Sequence, residues 1–556
     1  MTTGASVLAR MLDGYGVTHI FQVPAVLRRT MVELEYQTQI KRIRAHSEKS
    51  AAYMADGYAR AAQRPGVCMA QVIGALNLAA GLRDAHLAHS PVLAFTGGRD
   101  PSTKFRKVYQ EVDDVPAFES VTKFNATVDD VDRIPDMVRQ AFRVATTGSP
   151  GPVHLQFRGN EGQVDAEETQ VEPMVDSAFA TIPPHRLMPA DDEKLRAAIE
   201  LLRTAERPVL VAGGGVKWSQ AGPALVALAE HLQIPVSTSL NGKDMIPADH
   251  PLAVGVVGTY SRASANRVVA EADLVCFIGT ETGGMTTHFW QVPRFDTDTI
   301  HIDIDAESIG RNYTPLVGIQ GDARSVLNAM LTLAGARRAS SSWTERAADA
   351  VREWRSEHAN EFGSDQVPIR PERLCVELSK NTPDNGIVVV DTGHAGMWMG
   401  GIFDNRAGQS YLRSAGHLGW AFPAALGAKC GAPDRPVVCF TGDSGFWYHI
   451  AEIETAVRWN ICAVIVVNNN SGGNQSKRGF DRAYGGTQTE QGAREIWKFT
   501  EVNFAAIATQ IGALGIRVEK PGDLAGALER GFSSGRPTVI DVVTDIDALA
   551  PLAVTS

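Results

Sequence analysis

The amino-acid sequence predicts an α/β protein made of three doubly wound domains, each built on a parallel sheet. Short runs of β-branched and other apolar residues recur along the chain, and each is followed by a helical pattern rich in Ala and Leu. This alternation is typical of parallel sheets covered by helices on both faces. The chain has 556 residues, too many for one hydrophobic core, and this length fits three units of ordinary size.

Runs of strand length divide the chain into three units. The first covers about residues 1–165, the second about 190–340 and the third about 365–550. An acidic, Pro-bearing segment at 164–191 and an Ala/Arg/Ser stretch at 335–345 are predicted to be linkers. The runs interpreted as strands lie at 67–73, 91–97, 208–215, 274–280, 299–305, 386–391, 435–445, 461–470 and 537–543.

Charge and hydropathy exclude several classes of partner. The 53 basic and 63 acidic residues give a net charge of −10 and form no long block of one sign, so we expect neither nucleic acid nor membrane partners. No apolar run approaches the roughly 20 residues of a membrane helix. The N-terminus lacks a basic segment followed by an apolar core, so we expect a cytoplasmic enzyme with a small-molecule substrate.

The most informative segment, TGDSGFWYHIAEIETAVRWNICAVIVVNNNSGG, spans residues 441–473. Asp443 follows one predicted strand and Asn470 the next, and parallel strands bring such ends to the same edge of a sheet. Carboxylate and amide oxygens suit Mg²⁺, while N–H groups at Ser444 and Gly445 suit phosphate at a helix start. The segment therefore predicts a diphosphate and metal site; the alternative is a strand-end turn with a capping Asp.

This segment resembles the GDG…NN motif of thiamine-diphosphate-dependent enzymes, with Ser444 where the family most often has Gly. The resemblance implies that Asp443 and the Asn470 side chain bind Mg²⁺, and that the Gly472 carbonyl supplies a third protein ligand. It also implies cofactor contacts from three neighbouring glycines: Gly442, Gly445 and Gly473.

The segment RAHSEKSAAYMADGYAR resembles the stretch of the same family that carries the activating glutamate, and Glu48 falls on that residue. A carboxyl group bonded to the aminopyrimidine ring favours its imino tautomer, which is the local base for the carbon that must lose a proton. Glu48 is therefore the predicted catalytic residue. Without the neighbouring motif it would be interpreted as a solvated carboxylate at a helix start. His46 is displaced by one position from the family's usual His and receives no role.

Further matches follow in the N-terminal unit. VIGALNLAAGLRDAHLAHSPVLAFTGG, residues 72–98, resembles the family's GPGxxN segment, which implies that Gly74 and Asn77 line the pyrimidine side of the cofactor. VYQEVDD contains Gln110, which matches a glutamine on the substrate side of the site. An ordinary surface amide is the alternative interpretation of Gln110.

Two segments of the third unit also resemble the family. DTGHAGMW resembles the loop before the diphosphate site and implies contacts from Gly393, His394 and Ala395. SAGHLGWAFPAALGAK resembles the segment whose bulky side chain bends the cofactor, which here would be Leu418, while the Gly416 carbonyl would receive the amino group. Taken alone, Leu418 is more typical of a hydrophobic core.

The resemblance spans nearly the whole chain, as a pyrimidine-binding unit, a central Rossmann-like unit and a diphosphate-binding unit. The sequence is most similar to the acetolactate synthase-like branch, which includes oxalyl-CoA decarboxylases and 2-hydroxyacyl-CoA lyases. In such proteins the glutamate and the metal motif meet across a subunit interface, so we expect a homodimer or homotetramer.

The branch implies a carboligase that decarboxylates a 2-oxo acid and joins the resulting enamine to a second carbonyl. A 2-hydroxyacyl-CoA lyase or an oxalyl-CoA decarboxylase-like enzyme stays open, as does a non-catalytic cofactor-binding subunit. Two departures argue against a true acetolactate synthase. Val128 and Asp129 stand near the place of a substrate-side Lys, and GTETGGMTTHFW lacks the signature associated with a structural flavin. FAD is therefore not expected, while ADP or CoA stays open for the central unit.

The polar, Gly-rich segment 471–497 has the composition of a lid that orders over substrate. Three of its basic residues could receive a carboxylate or a CoA phosphate, or simply solvate the loop: Lys477, Arg478 and Arg482. Glu490 and Glu495 are candidate proton carriers.

Overall fold

A computed structural model of the chain describes residues 2–189, 191–486 and 488–550. The predicted fold class is confirmed, because three six-stranded sheets follow one another along the chain and the strands within each are parallel. Each range predicted for a unit contains one whole sheet, and the bounds of the units stay predictions. Met1 and Ala190, with which two of these units begin, lie outside the described residues.

The first sheet has the strand order β3-β2-β4-β5-β7-β6. Its strands, with the antiparallel pair β1 and β8 beside it, are β1 Thr2–Thr3, β2 His19–Gln22, β3 Lys41–Arg44, β4 Gly66–Ala70, β5 Val92–Gly97, β6 Phe124–Val128, β7 Val153–Phe157 and β8 Glu168–Thr169. The helices that cover it are α1 Gly4–Gly14, α2 Arg28–Gln37, α3 Glu48–Ala62, α4 Ala75–Leu87, α5 Val115–Phe118 and α6 Ile134–Thr146.

The central sheet has the order β11-β10-β9-β12-β13-β14, which is the Rossmann order. Its strands are β9 Pro208–Ala212, β10 Val236–Thr238, β11 Ala253–Val256, β12 Leu274–Ile278, β13 Asp298–Asp303 and β14 Val317–Gln320. Its helices, and two that lead to the third sheet, are α7 Asp192–Thr204, α8 Gly214–Trp218, α9 Gly222–Leu232, α10 Ala263–Glu271, α11 Gly284–Thr287, α12 Ala323–Leu333, α13 Ser342–Glu357 and α14 Ala359–Phe362.

The third sheet has the order β16-β15-β17-β18-β20-β19, which repeats the connectivity of the first sheet. Its strands are β15 Ile387–Val390, β16 Ser410–Arg413, β17 Val437–Gly442, β18 Val464–Asn469, β19 Leu514–Val518 and β20 Thr538–Val543. Its helices are α15 Pro371–Asn381, α16 His394–Ile402, α17 Ala421–Gly431, α18 Asp443–Trp447, α19 Glu452–Arg458, α20 Asn474–Ala483, α21 Glu490–Ile496, α22 Phe504–Ile511 and α23 Leu524–Ser533.

Helices α3 and α17 join the first and third sheets through one continuous buried core. Small residues allow their backbones to touch: a Cβ added to Gly57 would lie 2.0 Å from the Ala424 carbonyl oxygen. A Cβ added to Gly427 would lie 1.8 Å from the Met54 carbonyl oxygen. This close approach fixes the N-terminal and C-terminal domains of one chain against each other.

Two expectations about connecting segments need correction. The stretch predicted as a second linker already enters α13 at Ser342, because the Ser341 side chain and Thr344 form a capping box and Trp343 is buried against the central domain. The expected lid is not a loop throughout, since α20 and α21 lie within it; Thr487, between them, is outside the described residues. Among the described helices none is long and apolar enough to cross a membrane.

Candidate active site

The metal motif lies at the topological switch of the third sheet. β16 and β17 lie on opposite sides of β15, so the connections after β15 and β17 leave a crevice at the carboxyl ends of these strands. Asp443 begins α18 directly after β17, and Asn470 follows β18, the neighbouring strand. The structure therefore brings the two predicted metal ligands to the same edge of the sheet.

Asp443 is a buried carboxylate held by backbone donors. Its Oδ1 accepts from the Ser444 N–H at 2.7 Å and its Oδ2 from the Gly472 N–H at 3.0 Å. Burial raises the pKa of Asp443 to about 7, although the hydrogen bonds from Ser444 and Gly472 work in the opposite direction. A bound cation would offset the cost of burying this charge.

Several polar atoms around Asp443 lack a partner. Asn470 Oδ1, Ser444 Oγ and His394 Nδ1 are buried and accept or donate no hydrogen bond within the part of the chain that the structure describes. Such atoms are uncommon in folded proteins and call for an explanation. An oxygen-binding cation at Asn470 and a phosphate at Ser444 would satisfy both residues, so the donor set fits Mg²⁺ and a diphosphate.

Glycines shape the space beside these atoms. Gly393 precedes α16 with φ +70°, a conformation that favours glycine, and a Cβ added to Gly442 would meet no atom within 4 Å. Gly473 caps α20 and donates its N–H to the Trp497 carbonyl at 2.7 Å. Ala395, also predicted as a contact, lies in α16 and packs into the hydrophobic core of the third domain.

Glu48 lies in the first domain, as the first residue of α3. Asn77 Nδ2 donates to Glu48 Oε2 at 3.3 Å. A Cβ added to Gly74 would lie 2.5 Å from Glu48 Oε1, so glycine at this position leaves room for the carboxylate. The three residues assigned to the pyrimidine side are therefore in mutual contact.

Gln110 lies at the same edge of the first sheet. It has φ +62°, and its Oε1 accepts from Gln71 Nε2 at 3.1 Å, directly after β4. The surrounding segment, residues 99–113, exposes Phe105 and Tyr109 almost completely. This arrangement places Gln110 beside Gln71; its predicted contact with substrate stays a prediction.

The loop before α17 carries Gly416 and Leu418, and the structure leaves both accessible. Asp391, which sequence reasoning did not single out, fixes the end of this loop. Its carboxylate accepts from the Gly419 N–H at 3.1 Å and from Thr441 Oγ1 at 2.8 Å. Burial raises the pKa of Asp391 to about 7. The sequence does mark this position, since Asp391 is the last residue of a predicted strand and the first of the segment DTGHAGMW, which resembles the family.

The two halves of the predicted site lie in different domains of one chain. Among the described residues, neither a hydrogen bond nor an ion pair joins Glu48 to Asp443 or Asn470. Two apolar side chains beside Asn77, Ile73 and Leu76, are about half exposed. Exposed apolar residues next to a predicted catalytic group are typical of a surface that is covered by another chain.

Four of the five charged residues singled out in the predicted lid have side-chain partners on the protein itself. Lys477 forms ion pairs with Asp481 and Asp547, and Arg478 Nη1 donates to the Ala550 carbonyl at 2.8 Å. Arg482 is exposed. Glu490 is exposed and forms ion pairs with Arg494 and Lys498, and its hydrogen bonds to Lys498 and Arg494 lower its pKa. Glu495 accepts from Gln491 at 2.8 Å.

A cavity of about 360 Å³ lies at the carboxyl ends of the central strands. Its wall includes Gly214 and Gly215 at the start of α8, and the acidic side chains of Glu281, Asp303 and Asp305. Burial raises the pKa of Asp303 to about 6. The position is the ordinary ligand crevice of a Rossmann-type sheet.

The chain belongs to the thiamine pyrophosphate enzyme family, as this fold and the two half-sites indicate. Models of the family's N-terminal TPP-binding domain, central domain and C-terminal TPP-binding domain match residues 2–117, 195–330 and 391–542, in that order. The protein is therefore a thiamine-diphosphate-dependent enzyme.

Relatives of the chain include acetolactate synthases. The chain is 32% identical to the probable acetolactate synthase large subunit of Methanocaldococcus jannaschii, over 99% of this chain and 93% of the relative. It is 30% identical to the isozyme 1 large subunit of Escherichia coli strain K12, with 98% and 94% covered. The large subunit of Lactococcus lactis is 27% identical, with 98% and 92% covered. The predicted acetolactate synthase-like branch is confirmed.

Proposed function

We propose that this enzyme decarboxylates a 2-oxo acid and joins the remaining fragment to a second carbonyl compound. The two half-sites carry the proposal: a glutamate held between Asn77 and Gly74 on one side, and Asp443 with the unpartnered Asn470 oxygen on the other. The relatives named acetolactate synthase support a carboligase over a CoA-ester lyase, an oxalyl-CoA decarboxylase or a non-catalytic subunit.

In this proposal the diphosphate and the metal are held by the third domain. Asp443, the Asn470 side chain and the Gly472 carbonyl bind Mg²⁺, while the backbone at Ser444 and Gly445 contacts the diphosphate. His394 contacts the diphosphate; in the protein without the cofactor, burial lowers the pKa of its ring to about 4. Thiamine diphosphate supplies the carbon nucleophile when it is bound.

Glu48 acts on the other side of the cofactor in the proposal. Its carboxyl group would form a hydrogen bond with the aminopyrimidine ring, as donor when protonated and as acceptor when ionised. The Asn77 amide holds the carboxyl group in place. The Gly416 carbonyl would accept from the amino group of the cofactor, and Leu418 would pack against the cofactor beside it. Gln110 contacts the substrate from the pyrimidine side.

We infer that the working enzyme is at least a homodimer. The half-site with Glu48 and the half-site with Asp443 belong to the same chain but have no polar contact among its described residues. A second copy can complete both sites at once, since a two-fold interface pairs each half-site with its complement. The half-exposed Ile73 and Leu76 would be covered at this interface.

The central cavity is proposed to take a nucleotide such as ADP. The acidic side chains of Glu281, Asp303 and Asp305 can accept from ribose hydroxyls and would repel the additional ribose phosphate of CoA. A thermal-shift titration tests this: ADP should raise the melting temperature and CoA should not. Stabilisation by CoA at equal or lower concentration would refute it.

The reaction is tested by mass-spectrometric product analysis of the enzyme loaded with Mg²⁺ and thiamine diphosphate. Pyruvate should release CO₂ and give a ligated product, and a short 2-hydroxyacyl-CoA should stay uncleaved. Formyl-CoA from the CoA ester, without turnover of any 2-oxo acid, would replace the carboligase with a lyase. Cofactor binding without turnover of oxo acids, aldehydes or acyl-CoAs would favour a non-catalytic subunit.

A further inference from the structure

Asp84 of the first domain holds the loop that carries Gly416 in the third domain. Asp84 is fully buried in α4. Its carboxylate accepts from the backbone N–H groups of Ala415 at 2.9 Å, Gly416 at 3.2 Å and His417 at 3.1 Å. The Ser414 hydroxyl donates to it at 2.8 Å. Four successive residues of one loop are therefore bound to a single carboxylate of another domain.

A second set of contacts holds the same loop from α3. Arg60 donates to Asp56 at 2.6 Å, to Asp84 at 3.1 Å and to the Arg413 carbonyl at 2.7 Å. The Trp420 indole N–H donates to Asp56 at 2.8 Å, and the Arg60 guanidinium lies over the Trp420 ring at 4.5 Å. Arg60 is thus shared by the buried carboxylates of Asp56 and Asp84, and it offsets part of the cost of burying them.

The loop needs such support because its backbone is not regular. Gly416 and Gly419 have φ +157° and φ +86°, and a Cβ added to Gly416 would meet no atom within 4 Å. Asp391 fixes the end at Gly419, and Asp84 fixes the beginning. Of residues 415–419, all of which the structure describes, Leu418 is the one whose N–H donates to neither Asp84 nor Asp391.

We propose that Asp84 is a positioning residue for the cofactor, acting through residues 414–417. Asp84 binds the N–H groups of residues 415–417 and so fixes the backbone of the loop. This fixes the direction of the Gly416 carbonyl and the position of Leu418. This inference rests on the proposed function, in which these two groups contact the aminopyrimidine ring. It gives a role to Asp84, which lies in the segment 72–98 that resembles the family but received no role from the sequence, and it assigns the residue to cofactor geometry rather than to chemistry.

Helix α4 gives the contact a second consequence. Asn77, which holds Glu48, lies at its N-terminal end, and Asp84 follows two helical turns later. In a homodimer, one rigid helix would thus contact the glutamate of one active site and the Gly416 loop of the other.

The Asp84→Asn variant tests the proposal, because it keeps the side-chain shape but removes the charge and turns one acceptor into a donor. Two quantities are measured on the full-length protein: the Kd of thiamine diphosphate with Mg²⁺, by quenching of tryptophan fluorescence, and amide hydrogen exchange at 415–417. We expect the Kd to rise at least tenfold and the three amides to exchange faster. The peptide at Gly472 should keep its exchange rate.

Asp165→Asn is the matched control. Asp165 is also a buried carboxylate of the first domain, but among the described residues it accepts only from Thr30, at 3.0 Å from the N–H and 2.9 Å from the hydroxyl. The Asp165→Asn variant should have a lower melting temperature than the wild type, while its Kd for the cofactor should stay within about twofold of the wild-type value. An Asp84→Asn variant with unchanged Kd and unchanged exchange at 415–417 would overturn the proposal.

Ser414→Ala keeps the test open if Asp84→Asn does not fold. It removes one donor to Asp84 and the hydroxyl that accepts from the Gly416 N–H at 3.1 Å, without uncovering a buried charge. A smaller rise in Kd in the same direction supports the positioning role, and an unchanged Kd with unchanged exchange refutes it. If the wild-type protein bound no thiamine diphosphate, the proposed function would fail, while the exchange data would still report on the Asp84 contact.

Discussion

Gly74 lies against Glu48 so closely that a Cβ at this position would come within 2.5 Å of the Glu48 carboxylate oxygen Oε1. The contacting atoms belong to a partly buried, flexible side chain, so Gly74→Ala should displace Glu48 and leave the fold intact. We expect kcat to fall roughly 10²-fold, the size of effect that small displacements of a catalytic group produce. Steady-state kinetics of Gly74→Ala and of the remote, exposed Gly522→Ala would show this. Equal kcat values in the two variants would mean that Glu48 need not occupy its observed position.

Asn470 should matter for the metal and not for the fold. Its Oδ1 has no partner among the described residues, so Asn470→Ala removes no intramolecular hydrogen bond of that atom. The melting temperature of the cofactor-free protein should stay unchanged, while the Mg²⁺ concentration needed for half-maximal cofactor binding should rise at least tenfold.

Asn469→Ala is the control for Asn470→Ala. The Asn469 amide donates to Asp541 at 2.8 Å and to the Val502 carbonyl at 3.0 Å. Its loss should cost about 1–3 kcal/mol of stability, because it leaves two buried acceptors with one donor fewer. If Asn470→Ala instead destabilised the protein and left the Mg²⁺ requirement unchanged, the residue would be structural.

Stability should fall as the pH falls below 6.5, and His154 should contribute. This ring is fully buried, stacks on Phe118 and contacts Thr96 and Asn125; burial lowers its pKa to about 3. Between pH 6.5 and 3 the unfolded chain therefore binds a proton at this site that the folded protein excludes, which favours unfolding.

His154→Gln removes this proton uptake. The difference in unfolding free energy between wild type and His154→Gln should shrink by about 2 kcal/mol from pH 7.5 to pH 5. Denaturant unfolding at the two pH values measures the change. A difference that stays constant would show that the pKa of His154 is the same in the folded and unfolded protein, and that burial does not lower it.

The contact between α3 and α17 should tolerate no side chain at Gly57. A Cβ there would lie 2.0 Å from the Ala424 carbonyl oxygen, so the helices must separate. Gly57→Ala should destabilise the protein by about 1–3 kcal/mol or more. Gly526→Ala, on the exposed face of α23 with no atom within 4 Å of the new Cβ, should stabilise it by about 0.5–1 kcal/mol. Equal melting temperatures of the two variants would contradict the close packing.

The fold class and the interior strands can be predicted from the sequence, because these strands are continuous apolar runs. The edge strands are harder to predict from the sequence. β3, with the sequence KRIR, pairs with only one neighbour and exposes its charged residues, so its pattern does not differ from that of a loop. The segment predicted as a lid contains α20, whose helical pattern is hidden by its high content of polar residues.

The site residues divide in the same way. Motifs with a recognisable spacing along the chain contain Asp443, Asn470 and Glu48, so these residues could be predicted from the sequence. Asp84 acts through backbone N–H groups more than 300 positions away in the sequence, and such donors leave no trace in residue type. Only the packing of α4 against the loop before α17 reveals that contact.

The most direct measurement compares wild type with Glu48→Gln for exchange of the reactive-carbon proton of bound thiamine diphosphate with deuterium, followed by NMR. Glu200→Gln, an exposed glutamate in the central domain, is the control. We expect exchange in Glu48→Gln to slow by roughly 10²–10⁴-fold, with product formation from pyruvate falling alongside, and Glu200→Gln to match wild type. Equal exchange rates in wild type and Glu48→Gln would show that Glu48 does not activate the cofactor.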